Sequence, residues 1–270
     1  MLFDTHTHFN TDAFDEDREE AIQRARKAGV SGMAIVGFDE DSIRRGMPLV
    51  QANADMVGIY GWHPTEAGKY DQRIEELLLT ALSSSKVVAM GEMGLDSFWD
   101  EDPLDVQEKI LRRQIAIARE RHLPIVIHNR EASEDIYRIL KDERVWEIGG
   151  IMHTFGEGLE EAKRFLDLGM HLSFSGVATF KKTKEVREVA AYCPADRLLL
   201  ETDSPYLTPE PKRGQRNETA NIRYVCNRIA DARETSYEEV AALSYQNACR
   251  LFGIEWQEGQ EGQWVKVKHV

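Results

Sequence analysis

Two histidines near the start of the chain have the spacing of a metal-binding pair. His6 and His8 lie at the end of a short predicted strand, residues 2–8, and are separated by one residue. In an extended strand, side chains two residues apart point to the same face, so these two imidazoles would lie side by side. Neutral imidazole is a common ligand of divalent transition metals. The pair alone is weak evidence, because a histidine at a strand end is more often a hydrogen-bonded structural residue.

Four more side chains that can bind metals occur where other short apolar runs end. They are Glu92, His128, His153 and Asp203. An unpaired carboxylate at the end of a buried apolar strand is very costly, so we interpret this recurrence as a functional constraint. Four imidazoles and two carboxylates are too many for one tetrahedral site. They suit two ions about 3.5–4 Å apart that share a carboxylate.

For these side chains to meet, the strands that carry them must be neighbours in one sheet. Continuous apolar runs alternate about eight times with longer amphipathic segments. The predicted strands are 2–8, 33–37, 56–62, 87–93, 125–128, 151–155, 171–175 and 198–203. Helices are predicted at 17–28, 107–121, 133–141 and 159–168 among others, with an extra helix at about 237–251. This α/β pattern favours a (β/α)8 TIM-like barrel, in which the carboxyl ends of all the strands meet at one mouth.

An open, doubly wound sheet is the rival architecture. Its dinucleotide-binding version has little support, because no Gly-x-Gly-x-x-Gly segment follows the first predicted strand. The chain also contains no linker long enough to divide it. We therefore predict one barrel domain over residues 1–254. Residues 255–270 are predicted to be a short tail appended to the same domain, with one edge strand.

Composition narrows the class of protein. No apolar run approaches the roughly 18 residues that a membrane-spanning helix needs, and no signal peptide opens the chain, so no membrane partner is expected. Cys193, Cys226 and Cys249 are odd in number and contain no Cys-x-x-Cys pair, which predicts reduced thiols and a cytoplasmic location. The net charge of −13 argues against broad electrostatic adhesion to nucleic acid, although it allows a local cationic pocket.

Seven motifs, in order, span residues 1 to about 253. They are Asp4-Thr5-His6-Thr7-His8, Gly61-Trp62-His63-Pro64, Gly91-Glu92-Met93-Gly94-Leu95-Asp96, Pro124-Ile125-Val126-Ile127-His128-Asn129-Arg130, His153-Thr154-Phe155, Glu201-Thr202-Asp203-Ser204-Pro205-Tyr206-Leu207 and Arg216-Asn217-Glu218. Together they resemble the TatD-like metal-dependent hydrolases, which are DNases of the amidohydrolase superfamily. The resemblance implies a divalent-metal-dependent phosphodiesterase, an exonuclease whose substrate is single-stranded DNA or DNA ends, with no obligate protein partner.

The resemblance also implies a role for each site residue. His6, His8 and Asp203 would hold one ion, His128 and His153 the second, and Glu92 would bridge both. The ions, Zn²⁺, Mn²⁺, Mg²⁺ or similar, would activate a hydroxide nucleophile, with Asp203 and Glu92 as the catalytic carboxylates. His63 and Arg130 would contact the scissile phosphate. Many superfamily relatives bridge their metals with a carboxylated lysine on a central strand. The predicted strand 87–93 contains no lysine, so Glu92 would be the bridging ligand here.

Other readings of the same residues stay open. A binuclear site could instead cleave an ester, amide or aminoacyl bond of a smaller molecule, or the barrel could bind metal without turnover. Two cationic loops could form a phosphate-binding rim or be ordinary surface. They contain Lys181, Lys182, Lys184, Lys212, Arg213 and Arg216. Four aromatic residues could stack on an unpaired base or simply pack their loops. They are Trp62, Phe98, Trp99 and Tyr206.

Overall fold

Eight parallel strands pair in chain order in the computed structural model, which describes residues 1–99, 101–259 and 262–267. The strands are β1 Leu2–Thr7, β2 Val30–Gly37, β3 Met56–Tyr60, β4 Val87–Asp96, β5 Ile125–Arg130, β6 Gly150–Met152, β7 Met170–Phe174 and β8 Leu198–Leu200. Each lies on a predicted strand. The predicted (β/α)8 barrel is therefore confirmed, and only the strand ends differ from expectation.

The ring is completed where β8 returns to β1. The Asp203 amide donates to the His6 carbonyl (2.9 Å), and the His8 amide donates to the Ser204 carbonyl (2.8 Å). The buried Asp4 carboxylate accepts hydrogen bonds from the amide (2.9 Å) and hydroxyl (2.6 Å) of Thr202. Regular strand geometry stops at Leu200, earlier than predicted, and Asp203 has a left-handed φ of 54°. The segment after β8 thus follows β1 without being a regular strand.

A helix follows every strand, and a ninth helix follows the eighth unit. They are α1 Arg18–Lys27, α2 Glu40–Ala52, α3 Gln72–Ala81, α4 Leu104–Glu120, α5 Ser133–Asp142, α6 Leu159–Asp167, α7 Lys184–Tyr192, α8 Ile222–Ala232 and α9 Tyr237–Phe252. Local sequence explains several ends. Asp39 and Ser42 form a reciprocal capping box at the start of α2. Gly29 and Gly169 follow α1 and α6 with φ values of 88° and 80°, as expected of glycine after a helix.

Helix α9 covers the amino-terminal end of the barrel. The Asn247 amide donates to the carbonyls of Ala195 (2.8 Å) and Leu198 (2.9 Å), just before and at the start of β8. The ring of Phe3 lies 5.8 Å from that of Phe252, and both belong to a buried apolar cluster that joins the strands to α9. The opposite end, where the strands finish, is left for polar side chains. None of the helices in the described part of the chain is both long and apolar enough to cross a membrane.

The carboxyl-terminal segment forms a hairpin rather than one edge strand. Strands β9 Ile254–Gly259 and β10 Gly262–Val267 pair with each other in antiparallel fashion, in a sheet separate from the barrel. The expected single strand is therefore wrong, because its hydrogen-bond partner is the next strand of the tail. Residues 260–261 and 268–270 of the tail lie outside the described residues. The division into a 1–254 barrel domain and a 255–270 tail stays a prediction.

A close approach of β4 to β5 brings their polar residues together. Gly94 pairs with His128 in the register of the two strands. A Cβ atom at Gly94 would lie 1.8 Å from the His128 carbonyl oxygen, a distance that only a shift of the backbone could relieve. Glycine at this position therefore lets β4 run close beside the strand that carries His128.

Replacing Gly94 should consequently destabilise the barrel. We expect Gly94→Ala to lower the free energy of unfolding by about 1–3 kcal/mol, the usual range for overpacking, as measured by urea denaturation. Gly156→Ala is the matched control, because its added Cβ would meet its nearest neighbour, the Thr154 carbonyl oxygen, at 3.8 Å. Equal urea midpoints for the two variants would contradict this account of the β4–β5 contact.

Candidate metal centre

The Glu92 carboxylate lies at the centre of a group of imidazoles from three other strand ends. Its Oε1 is 2.9 Å from His128 Nδ1 and 3.0 Å from His153 Nε2. Its Oε2 is 3.2 Å from His6 Nε2. The Glu92 side chain is 6 % exposed and that of His6 is fully buried. The carboxyl-terminal parts of β1, β4 and β5 and the residue after β6 thus bring Glu92 and three imidazoles into one small volume at the mouth of the barrel.

Asp203 and His8 extend this group on the β1–β8 side. Asp203 Oδ1 is 3.1 Å from His8 Nε2 and 3.8 Å from His6 Nε2. All six side chains proposed as ligands from the sequence are therefore close neighbours. His6, His8 and Asp203 form one set whose ligand atoms lie within 4.8 Å of one another. Glu92 and His128 belong to a second such set.

Two of the imidazoles are oriented by contacts on their far side. His8 Nδ1 lies 3.1 Å from the carbonyl oxygen of Val36, so this nitrogen carries the proton and donates it. His153 Nδ1 lies 3.1 Å from Glu201 Oε1. When either ring loses its second proton, the lone pair is on Nε2, which points at a carboxylate. A hydrogen bond on the far nitrogen is what usually orients a metal-binding histidine.

The chemistry of this donor set fits divalent cations. Both ring nitrogens of His6 are buried, and neither makes a well-aligned hydrogen bond among the described residues, although Nε2 lies 3.2 Å from Glu92 Oε2. Burial, together with the neighbouring His153, lowers the pKa of His6, so this ring presents a neutral lone pair. Lone pairs on His6, His8 and carboxylate oxygens facing one another repel unless a proton or a cation lies between them. Buried carboxylates with imidazoles are paired or coordinate metal.

The facing carboxylates make the site strongly attractive to positive charge. Burial opposes protonation of His8, yet the hydrogen bond and charge of Asp203 outweigh it and raise the pKa of His8. Burial likewise opposes a charged His153, but Glu92 and Glu201 raise its pKa well above the usual value. Burial alone would raise the pKa of Glu92, and the surrounding imidazoles instead hold it well below its usual range. The same field that favours these protons would favour a cation in their place.

Two carboxylates without a predicted role support the histidines from behind. Glu201 Oε1 accepts the Thr154 amide (2.6 Å) besides contacting His153. Asp96 Oδ2 lies 2.8 Å from His128 Nε2. A sequence signal existed for Asp96, since positions 92, 94 and 96 share a face of one strand, but the predicted strand ended at 93. Burial would raise the pKa of Asp96, yet the His128 contact and two backbone amides lower it to about 2.

His63 and Arg130, the residues expected to bind substrate, occupy different positions. His63 lies inside the cluster, with Nε2 3.8 Å from Glu92 Oε1 and its ring centroid 4.4 Å from that of His128. It forms a possible ligand set with Glu92 and His128, which the sequence did not indicate. Arg130 is exposed at the end of β5 and stacks on Phe98, with 4.3 Å from Cζ to the ring centroid. Its guanidinium has no hydrogen-bonded partner among the described residues.

Among the described residues, some cations of the two cationic loops are already paired with carboxylates, and others are not. Arg216 pairs with Asp17 (2.7 Å) and Lys184 with Glu188 (3.1 Å), so both are already neutralised. Arg213 stacks on Phe180 (4.2 Å), which joins the two cationic loops. Lys181, Lys182 and Lys212 complete the set of loop cations.

The four aromatic residues that could stack on a base differ in exposure. The expectation that Trp62 could stack is wrong, because its side chain is buried and donates a hydrogen bond to the Glu66 carbonyl. Phe98, Trp99 and Tyr206 are exposed.

An eight-stranded α/β barrel with histidines and carboxylates at one end of its strands has the architecture of a metal-dependent hydrolase. The family model described as TatD related DNase matches residues 3–253. The chain belongs to this family.

Relatives and solved structures agree over almost the whole length. The chain is 46% identical over 256 residues to the uncharacterized metal-dependent hydrolase YabD of Bacillus subtilis, covering 94% of this chain and 100% of that protein. It is 32% identical over 260 residues to the 3'-5' ssDNA/RNA exonuclease TatD of a Rahnella species, covering 94% and 98%. The crystal structure of the TatD homologue YJJV from Escherichia coli superimposes with a TM-score of 0.89 at 30% identity, covering 94% and 98%.

The contact between Glu201 and His153 generates a test of the supporting carboxylates. We expect Glu201→Gln to weaken metal binding by about 10- to 100-fold, because the amide is neutral and fixes the imidazole less firmly. Titration calorimetry with Mn²⁺ or Zn²⁺ measures this. Glu157→Gln is the matched control, since the Glu157 carboxylate accepts from the Ser133 hydroxyl (2.9 Å) rather than contacting a histidine. Unchanged affinity in Glu201→Gln would remove Glu201 from the site.

Proposed function

We propose that this hydrolase cleaves phosphodiester bonds of DNA, as an exonuclease that uses two divalent metal ions. The observation that carries the proposal is the Glu92 carboxylate, whose two oxygens lie within 3.2 Å of imidazoles from three strands. A carboxylate in that position suits a bridge between two ions, an arrangement common in enzymes that act on phosphate esters. The name of the Rahnella relative, a 3'-5' ssDNA/RNA exonuclease, supports the same substrate class.

We divide the ligands as follows. His6, His8 and Asp203 would hold one ion, His128 and His153 would hold the second, and Glu92 would contribute to both. The 3.1 Å and 3.8 Å contacts of Asp203 with His8 and His6 support the first set. The contacts of Glu92 with His128 and His153 support the second. Mixed imidazole and carboxylate donors suit Zn²⁺ or Mn²⁺, and Mg²⁺ becomes suitable with the help of substrate phosphate oxygens.

When bound, the ions would supply Lewis acidity that makes water acidic and screens charge on the phosphoryl oxygens. The protein supplies the remaining functions. Asp203, the most accessible of the carboxylate ligands with 13 % side-chain exposure, accepts a proton from the attacking water and returns one to the leaving oxygen. Glu92 holds the two halves of the site at a fixed separation. The surrounding buried residues keep Glu92 and His6 dry, which strengthens each electrostatic contact.

Substrate phosphates are proposed to meet His63 and Arg130 at the mouth. Arg130 suits this role because its guanidinium is held on the Phe98 ring and has no carboxylate partner among residues 1–99, 101–259 and 262–267. Burial and the nearby His128 lower the pKa of His63 to about 4, so His63 acts as a neutral hydrogen-bonding group. Further phosphates of the strand would meet the cationic loops at Arg213 and its neighbouring lysines. A cytoplasmic location stays a prediction from the cysteine pattern.

Incubation with single-stranded DNA and Mg²⁺ or Mn²⁺ tests the activity. We expect the wild type to shorten end-labelled strands. Loss of one ligand in His128→Ala should reduce the rate on the order of 10²- to 10³-fold, the range for removing one charge-stabilising group. Intact DNA with the wild type, or equal cleavage by both proteins, would contradict the proposal. Carboxylic esters and amides, assayed in parallel, should be hydrolysed far more slowly than DNA fragments.

Metal analysis of two variants tests the division of ligands. His6→Ala should lose chiefly the ion shared with Asp203, because His6 lies on that side of Glu92. Glu92→Ala should lose both ions, because its carboxylate serves both sets. Metal content after dialysis, measured by mass spectrometry, separates the two cases. Identical losses in both variants would show that the division is wrong, whatever the activity.

A further inference from the structure

Two exposed aromatic residues lie on the loop that follows the Glu92 strand. Phe98 is 47 % exposed and Trp99 is 57 % exposed. Their rings meet edge to face, with centroids 5.0 Å apart. Large aromatic side chains at a surface lose the stability that burial would give them, so this adjacent pair is a candidate binding surface. This pair lies at the same end of the barrel as the candidate metal centre, because it directly follows the carboxyl end of β4.

The Asp96 carboxylate ties this loop directly to the metal centre. Its Oδ1 accepts hydrogen bonds from the amides of Phe98 (2.9 Å) and Trp99 (3.0 Å). Its Oδ2 is the atom that lies 2.8 Å from His128 Nε2. The buried Gln107 side chain also bonds both the amide and the carbonyl of Asp96, at 2.8 and 3.0 Å. The aromatic pair is therefore held in a fixed position relative to His128.

Phe98 is already occupied on one side, whereas Trp99 is available. The Arg130 guanidinium lies over the Phe98 ring at 4.3 Å. Phe98 thus holds Arg130 two residues beyond His128, where it can reach a phosphate of a strand entering the site. The indole of Trp99, which meets the other ring of the pair edge to face, remains as an exposed flat surface. A nucleotide presents a phosphate and an aromatic base together, which matches this pairing of guanidinium and indole.

The overall charge favours stacking over long-range attraction. With 34 basic and 47 acidic residues, the chain has a net charge of −13 and repels a polyanion at a distance. Short-range contacts must then hold a nucleic acid at the mouth. Stacking serves this purpose, because it depends little on salt and is available to every base, whereas the bases inside a duplex are not free to stack on a side chain.

From these contacts we infer that Trp99 is the stacking platform for an unpaired base next to the scissile phosphate, with Arg130 on its phosphate. The inference rests on the proposed function and deepens it, since it makes an unpaired nucleotide part of what the site recognises. Asp96 acts as the positioning residue that keeps the platform in register with His128.

Equilibrium binding of two matched strands tests the platform without depending on turnover. One probe is a fluorescein-labelled oligothymidylate with phosphorothioate end linkages, which slow hydrolysis. The other has abasic sites in place of its terminal bases and the same phosphates. For the wild type we expect the abasic strand to bind on the order of 5- to 150-fold more weakly, the measured range for stacking of one base. Trp99→Ala should bind both strands alike, at the level of the abasic strand.

Two further variants complete the design. Trp99→Phe should restore much of the preference for the strand with bases. Trp146→Ala is the matched control, because Trp146 is 49 % exposed but lies just before β6, at the opposite end of the barrel. It should behave as the wild type.

The outcomes separate the inference from the proposed function. If the wild type cuts DNA but Trp99→Ala still distinguishes the two strands as the wild type does, Trp99 is not the stacking platform, and the proposed nuclease activity is unaffected. An equal loss of affinity for both strands in Trp99→Ala also overturns the platform. If the wild type neither binds nor cuts either strand, the proposed function fails and the inference fails with it.

Discussion

The arrangement of this site depends on a buried carboxylate that several imidazoles surround. A charged Glu92 at 6 % exposure would be prohibitively unstable alone, and its pKa would rise until it was neutral. The charge of His153 and the hydrogen bonds of His128 and His153 reverse that tendency and keep the carboxylate ionised. Each imidazole comes from a different strand. The charge on Glu92 is thus stable only when the barrel has closed, and the closed barrel is what makes the site.

The parts of the fold nearest this carboxylate are explained by the need to bring strands close. Gly94 allows β4 to approach β5, and the Asp4–Thr202 hydrogen bonds hold the segment after β8 against β1. Asp203, with its left-handed backbone, then turns its carboxylate toward His8. A non-glycine residue with positive φ is uncommon and persists when the surroundings determine it. Position in the ring, rather than regular strand geometry, decides where this candidate ligand lies.

Features of the fold that depend on neighbouring residues in the sequence could be predicted, whereas features that depend on distant contacts could not. Eight apolar runs, each followed by a helical segment, are local patterns, and they identified the barrel. Polar residues where those runs end indicated which side chains would meet. Strand ends depend on hydrogen bonds to neighbours, so β4 reaching Asp96 and β8 stopping at Leu200 were not visible. The burial of Trp62 and the pairing of the tail strands also depend on partner residues that the local sequence pattern does not reveal.

Glu201 and Asp96 illustrate the same limit at the site itself. Both lie in motifs of the sequence that also contain a candidate ligand. Their function nevertheless depends on which ring nitrogen they face, and that is a property of the assembled barrel. Glu201 contacts His153 on the side away from Glu92, whereas Asp96 contacts His128 and the Phe98–Trp99 loop with different oxygens. Because Asp96 contacts both His128 and a surface loop, it transmits small displacements between them, since a hydrogen bond weakens steeply as its geometry departs from linear. The metal centre and the aromatic loop are therefore one mechanical unit, and a change in either should be felt by the other.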